Sequence, residues 1–165
     1  MLIPFEELPQ TARVWIYQAD RNLTEEECSF IEKQTEVFIN GWDAHGAALQ
    51  ASYGIAYQRF LIISVNQEYN LPSGCSIDKS VALVRALEQA LKVNFFERTL
   101  IPFLIDNEVK AYPMGQLKQM VAEGTITSES TMFDNTVGTK ELLETKWKVA
   151  AQETWAARYF PKTVQ

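Results

Sequence analysis

Ser52-Tyr53-Gly54-Ile55-Ala56-Tyr57-Gln58-Arg59-Phe60-Leu61-Ile62-Ile63-Ser64-Val65 is the stretch on which the fold turns. It holds two runs rich in β-branched and aromatic residues, Ser52 to Tyr57 and Phe60 to Val65, each of strand length. They form either a tight hairpin around Gln58-Arg59 or one long bent strand, and spacing alone leaves both open.

On the N-terminal side, Arg13-Val14-Trp15-Ile16-Tyr17-Gln18 follows Pro9 and reads as a strand. Thr24-Glu25-Glu26-Glu27 is a capping box, a hydroxyl at the cap and a carboxylate three residues on. Behind it Cys28, Ile31, Thr35, Phe38 and Trp42 recur at helical spacing, flanked by Phe30 and Val37, which predicts a helix over about 24–41.

On the C-terminal side, Asn70-Leu71-Pro72-Ser73-Gly74 breaks the chain before a second helix, over about 76–93. Its apolar stripe is Ile77, Val81, Val84, Leu87 and Leu91, with Ser76 or a near neighbour as cap. Ile101 to Ile105 and Glu108 to Tyr112 flank Asp106-Asn107, a hairpin signal. Leu117, Met120 and Val121 predict a short third helix ended by Gly124, and Thr131-Met132-Phe133 a last short strand. Thr139 with Glu141, Leu142 and Leu143 marks a further helical piece. The tail from Thr154 to Phe160 is too aromatic to stay loose and should dock.

The order through residue 106 is β-α-β-β-α-β. It predicts an α+β fold with a mostly antiparallel sheet and two main helices on one face, compatible with a ferredoxin-like sandwich. The reading is a single domain over 1–165, with an α+β core over 1–106 and an appended C-terminal α/β segment over 107–165.

Bulk properties narrow the function classes. The chain has 165 residues, 47% hydrophobic and 22% charged, an ordinary globular balance. A net charge of −6 argues against a nucleic-acid partner, which needs clustered Lys and Arg. No apolar run exceeds four residues, as in Phe60-Leu61-Ile62-Ile63, far short of the ~20 residues of a membrane span. The opening Met1-Leu2-Ile3-Pro4-Phe5-Glu6-Glu7 carries two acids and no positive n-region, so it does not read as a signal peptide. Cys28 and Cys75 make neither a disulfide framework nor a four-ligand zinc set, and read as reduced thiols of a cytoplasmic protein. No metal and no cofactor is expected.

The candidate site is Gly74-Cys75-Ser76-Ile77-Asp78-Lys79-Ser80, where a thiol, hydroxyls and a carboxylate meet one helix start. A catalytic reading makes Cys75 a nucleophile, with His45, the single histidine, as base and Asp78 or Asp43 orienting the imidazole. A structural reading makes Gly-Cys-Ser a tight turn with Ser76 as cap. In the same way Trp42-Asp43-Ala44-His45-Gly46 is either a cleft wall or a turn in which His45 bonds a loop carbonyl. An anion-binding reading uses Ser76 and Ser80 with Lys79, Arg59 or Arg13. The Trp-rich tail suits a homodimer interface as well as a core.

These segments resemble a small uncharacterised bacterial family. The shared features here are Ala12-Arg13-Val14-Trp15-Ile16-Tyr17, Trp42-Asp43-Ala44-His45-Gly46, Arg59-Phe60, Gly74-Cys75-Ser76-Ile77-Asp78 and the closing Trp155 to Phe160, spanning nearly the whole chain. Its members often carry the label "ABC transporter ATPase". A phosphate loop, however, needs Gly-x4-Gly-Lys-Ser/Thr, and the nearest approach, Gly138-Thr139-Lys140, lacks both the earlier glycine and the Gly-Lys pair. No ATPase activity is expected. A second, partial resemblance covers Met114 to Trp155, where Leu117, Gly124-Thr125-Ile126, Thr131 and Trp147 look like the end of GYF-type modules. Some of those bind proline-rich peptides, but their aromatic peptide-binding signature is absent, so the match implies an architecture. The leading functional reading is a soluble cytoplasmic binding or interaction protein, its ligand a protein or a small anionic molecule, and the alternative is an enzyme using Cys75 and His45.

Overall fold

Three antiparallel sheets, of three, two and four strands, organise the described residues of the chain, 1–161 in a computed structural model. In chain order the elements are β1 (Arg13–Gln18), α1 (Glu25–Asn40), β2 (Asp43–Ala44), β3 (Ala47–Ala48), β4 (Ala51–Ala56), β5 (Phe60–Val65) and α2 (Gly74–Leu91). They continue with β6 (Leu100–Ile105), β7 (Glu108–Pro113), α3 (Leu117–Ala122), β8 (Thr131–Phe133), α4 (Lys140–Lys146) and β9 (Lys148–Ala150), with short 3-10 turns at Phe5–Glu7, Met114–Gln116, Ala151–Glu153 and Trp155–Tyr159. The architecture is α+β with antiparallel sheets. None of the described helices is long and apolar enough to cross a membrane.

The first compact unit comprises residues 1–97 with 136–144. Its sheet has the order β1-β5-β4. The decisive stretch is a hairpin, Ala56 paired with Phe60, and Tyr57 and Gln58 both take positive φ at its tip. Along β5 the alternation sends Leu61, Ile63 and Val65 into a core with Tyr17, Ile31, Ile39, Trp42, Val84 and Leu87, so both long helices lie on one face. Phe60, Ile62 and Ser64 on the other face are buried as well, which explains why β5 reads as a continuous apolar run.

Burial rather than capping holds these helices. Ile31 and Ile39 are fully buried on α1, and each contributes about 1.5–3 kcal/mol, against about 1 kcal/mol for a cap. On α2 the stripe is turned by about one residue from the sequence reading. Ser76, Ser80, Val84 and Leu87 are buried, while Ile77, Val81 and Leu91 are half-buried. Small side chains at 76 and 80 let the first turns of α2 sit close to their neighbours.

The ferredoxin-like order is not completed. β6 does not join the first sheet; it pairs with β7 and β8 in a separate sheet of order β7-β6-β8-β9. The free edge of β1, where a fourth strand would pair, is met instead by Gly138 and Thr139. An apolar run identifies a strand without naming its partner, and the local Asp106-Asn107 turn, both residues at positive φ, commits β6 to β7.

Among the described residues the second unit comprises 98–135 with 145–161. The chain therefore crosses between the units at 97/98, 135/136 and 144/145, and a boundary at 106/107 cuts the β6–β7 hairpin. Ile101, Phe103, Leu117, Ile126, Met132, Ala151 and Ala156 form its core, with Trp155, Tyr159 and Phe160 packed against it, so the aromatic tail docks. Gly124 ends α3 at φ 77, the left-handed position that glycine reaches without strain. The last four residues of the appended segment lie outside the described residues.

Candidate functional site

The start of α2 is built by a reciprocal cap. Ser73, in extended conformation, accepts from the Ser76 N–H through its Oγ at 3.1 Å, and the Ser76 Oγ accepts from the Ser73 N–H at 2.8 Å. The cap is thus Ser73, and Ser76 is its inward-facing third helical residue. Gly74 and Cys75 open the helix on its exposed side.

Trp42-Asp43-Ala44-His45-Gly46 folds into the β2–β3 hairpin, whose tip residues His45 and Gly46 both have positive φ. Two bonds fasten it to α2. The buried Trp42 Nε1 donates to the Ser76 carbonyl at 2.8 Å, and Lys79 Nζ donates to Asp43 Oδ1 at 3.1 Å. Asp43 Oδ2 also accepts from the Gly46 N–H at 2.9 Å, closing the turn. The Lys79 ammonium, and then the Gly46 N–H, hold the Asp43 carboxyl below its ordinary range.

The loop between β5 and α2 is fastened to the same hairpin. Asn66 Oδ1 accepts from the N–H groups of Glu68 and Tyr69, and its Nδ2 donates to Gln50 Oε1 at 2.9 Å. Asn70 Nδ2 donates to the carbonyls of Ala47 and Ala48 at 3.1 and 3.4 Å. On this tied backbone Tyr69 and Leu71 stand 54% and 66% exposed.

No hydrogen bond links the predicted catalytic residues to one another: Cys75, Asp78 and His45 are exposed, and none joins Cys75 to His45 or His45 to Asp78. His45 bonds no loop carbonyl either; the aspartate of its own hairpin closes the turn instead.

The predicted anion ligands do not converge. Ser80 Oγ donates back to the Ile77 carbonyl at 2.6 Å, and Ser76 is committed to the cap, both hydroxyls being buried. Arg59 is buried, with Nε donating to the Ala19 carbonyl at 2.7 Å and Nη1 to Asn22 Oδ1 at 3.1 Å. Burial lowers its pKa, and Asp20 opposes that shift. Arg13 lies 4.7 Å over the Trp15 ring. Arg13 pairs with Val65, and Arg59 adjoins the Gln18–Phe60 pair at the other end of the same ladder. A six-residue strand separates them by about 17 Å, too far for one small anion.

Among the described residues no group of three or more His, Cys, Asp or Glu side chains is placed to hold a metal ion. The second unit carries an open groove of about 500 Å³ lined by Val121, Ile126, Thr127, Ser128, Gln152 and Phe160 among others, with no ionisable side chain.

Sequence reading put the cap at Ser76 or a near neighbour, which the structure narrows to Ser73, and it missed Asn66 and Asn70 as fasteners. The available signals were the Ser-x-x-Ser spacing and the two asparagines of the loop before it. Compared with protein-family models, with curated proteins and with solved structures, the chain matches none.

Proposed function

We propose that this protein acts by binding, as a soluble cytoplasmic interaction protein whose recognition surface is the loop over 66–73 with the adjoining start of α2. The observation that supports this is the exposure of Tyr69 and Leu71 on a backbone held by Asn66 and Asn70. Side chains presented from a fixed loop lose little freedom on association, so more of their burial appears as affinity. Tyrosine is favoured at interface anchors, and covering the leucine adds about 1.5–3 kcal/mol.

A thiol enzyme would need a base in contact with Cys75, and the lack of a bond to His45 favours binding. With the Ser76 and Ser80 hydroxyls turned inward, a protein partner is better supported than a small anion. The free thiols at Cys28 and Cys75 support the cytoplasmic assignment.

The test is a photo-crosslinking residue at position 71 in cells. A discrete adduct is expected, lost when Tyr69→Ala is added. The captured protein, purified, should bind the wild type at least about ten-fold more tightly than Leu71→Asp. A second copy of this chain is one such adduct, and sedimentation reads it directly. Absence of a discrete adduct, or a partner indifferent to Leu71→Asp, overturns the reading.

A further inference from the structure

β4 is the outer strand of its sheet, and the middle of its outer edge is unpaired. Ladder alternation settles which groups point outward. Ala19 N donates to the Arg59 carbonyl on the β1 side, in phase with Leu61, Ile63 and Val65, so Phe60, Ile62 and Ser64 turn their backbones to β4. The register Ser52↔Ser64, Gly54↔Ile62 and Ala56↔Phe60 then leaves Ala51, Tyr53 and Ile55 facing outward. Ala51 bears this out: its N–H donates to the Met1 carbonyl at 3.0 Å, and its carbonyl accepts from the Ile3 N–H at 2.9 Å. At Pro4 that neighbouring segment leaves the edge for the Phe5–Glu7 turn. The N–H and C=O groups of Tyr53 and Ile55 have no backbone partner among the described residues, and Tyr53, Gly54, Ile55 and Ala56 are all half-buried.

Protected edges carry lysine, proline or a bulge, and Ala51–Ala56 has none of these. What surrounds it is acid. Helix α1 packs against β4 with Glu32 and Glu36 exposed, and burial, then the charges of Glu36 and Glu32, push the Tyr53 phenol's pKa up. Glu6 and Glu7 are exposed on the turn that packs against β4.

We propose that the β4 edge accepts an extended basic segment of a partner protein as an added strand. Tyr53 and Ile55 supply the donors and acceptors of the new ladder, and Glu32, Glu36, Glu6 and Glu7 select for lysine or arginine on the incoming segment. A second copy of β4 would bring two sets of these acids together in a chain of net charge −6, which disfavours self-pairing. This edge is independent of the Tyr69–Leu71 surface.

The probe is a fluorescent heptapeptide of alternating threonine and lysine, compared with its glutamate counterpart and with a lysine version N-methylated along one edge. The lysine peptide should bind saturably and slow hydrogen exchange at the Tyr53 and Ile55 amides. The other two should bind at least about ten-fold more weakly. Ile55→Pro removes an outward N–H while leaving the bonds to β5, and should abolish binding; Ile55→Ala keeps the N–H and should retain most of it. Glu32→Gln with Glu36→Gln should weaken binding without touching the backbone. Equal binding of all three peptides, no binding at all, or binding unaffected by both Ile55→Pro and the glutamine pair overturns the proposal. So do amides that are already protected in the free protein, or protection that grows with protein concentration alone.

Discussion

The two long helices begin with the same device made from different chemistry, and each carries a cysteine in its opening turns. At the start of α1, Thr24 Oγ1 accepts from the Glu27 N–H and the Glu27 carboxylate accepts from the Thr24 N–H. Arg21 grips that carboxylate with both terminal nitrogens, at 2.8 and 2.7 Å, and reaches the Leu91 carbonyl at the end of α2. At the start of α2 two serines cap each other, the first turn holds no acid, and Trp42 donates to the Ser76 carbonyl from a buried position. The first assembly is charged and solvent-facing, so its strength follows pH and salt. The second is neutral and fastened to a hairpin, which makes it the firmer support for the loop that presents Tyr69 and Leu71.

The largest effect should come from cutting that fastening. Trp42 is 1% exposed and packs on Phe38 and Trp15 while holding Ser76. Trp42→Ala should cost about 3–5 kcal/mol, measured by urea unfolding. Trp42→Phe, which keeps one aromatic ring but loses the donor and part of the indole's volume, should cost less. If the two variants lose the same amount, the ring packing is immaterial and the comparison rests on the hydrogen bond alone.

The caps themselves come next. Ser73→Ala and Ser76→Ala should each cost about 1 kcal/mol, as should Thr24→Ala at α1, read from the shift in urea midpoint. A loss at Ser76 within error of zero would show that its burial, not its hydroxyl, matters.

The α1 cap was legible in the sequence because Thr24 and Glu27 differ in kind and only one order makes a box. The α2 cap was legible only to a neighbourhood, because serines stand at both ends of the box and either can be read as its start. The Asp106-Asn107 turn and the docking tail were legible for local reasons, as positive φ and aromatic mass leave a mark in composition. The placement of β6 was not, since strand patterning carries no address. Ser76 and Ser80 escaped as buried residues because their polarity resembles that of a surface, while their small size is what the close packing uses.

A smaller effect separates the two helix starts by pH. The Arg21 guanidinium, and then the Thr24 N–H, hold the Glu27 carboxyl down to about 2 from an ordinary 4.5. A carboxyl depressed in the folded state binds fewer protons there than in the unfolded chain between those values. Its contribution is therefore full above about pH 4.5 and is lost as the pH falls toward 2. The stability difference between wild type and Glu27→Gln should shrink across that window. The difference between wild type and Ser76→Ala, where nothing titrates, should not. A Glu27→Gln difference that stays constant with pH would break the contrast between the charged and neutral caps.

The last contrast reads the thiols. Cys28 lies half-buried on α1, and burial, then Glu32, Glu27 and Glu25, push its pKa up, so little thiolate is present near neutral pH. Cys75 opens α2 on the exposed side, in a first turn without acids. Limited alkylation near neutral pH, mapped by mass spectrometry, should therefore label Cys75 well before Cys28. Glu27→Gln and Glu32→Gln should speed Cys28 by lifting part of the repulsion, and leave Cys75 unchanged. Should Cys28 label first in the folded protein, the acids around it do not govern its reactivity. The distinction between the two helix starts would then hold for their caps alone and not for their chemistry.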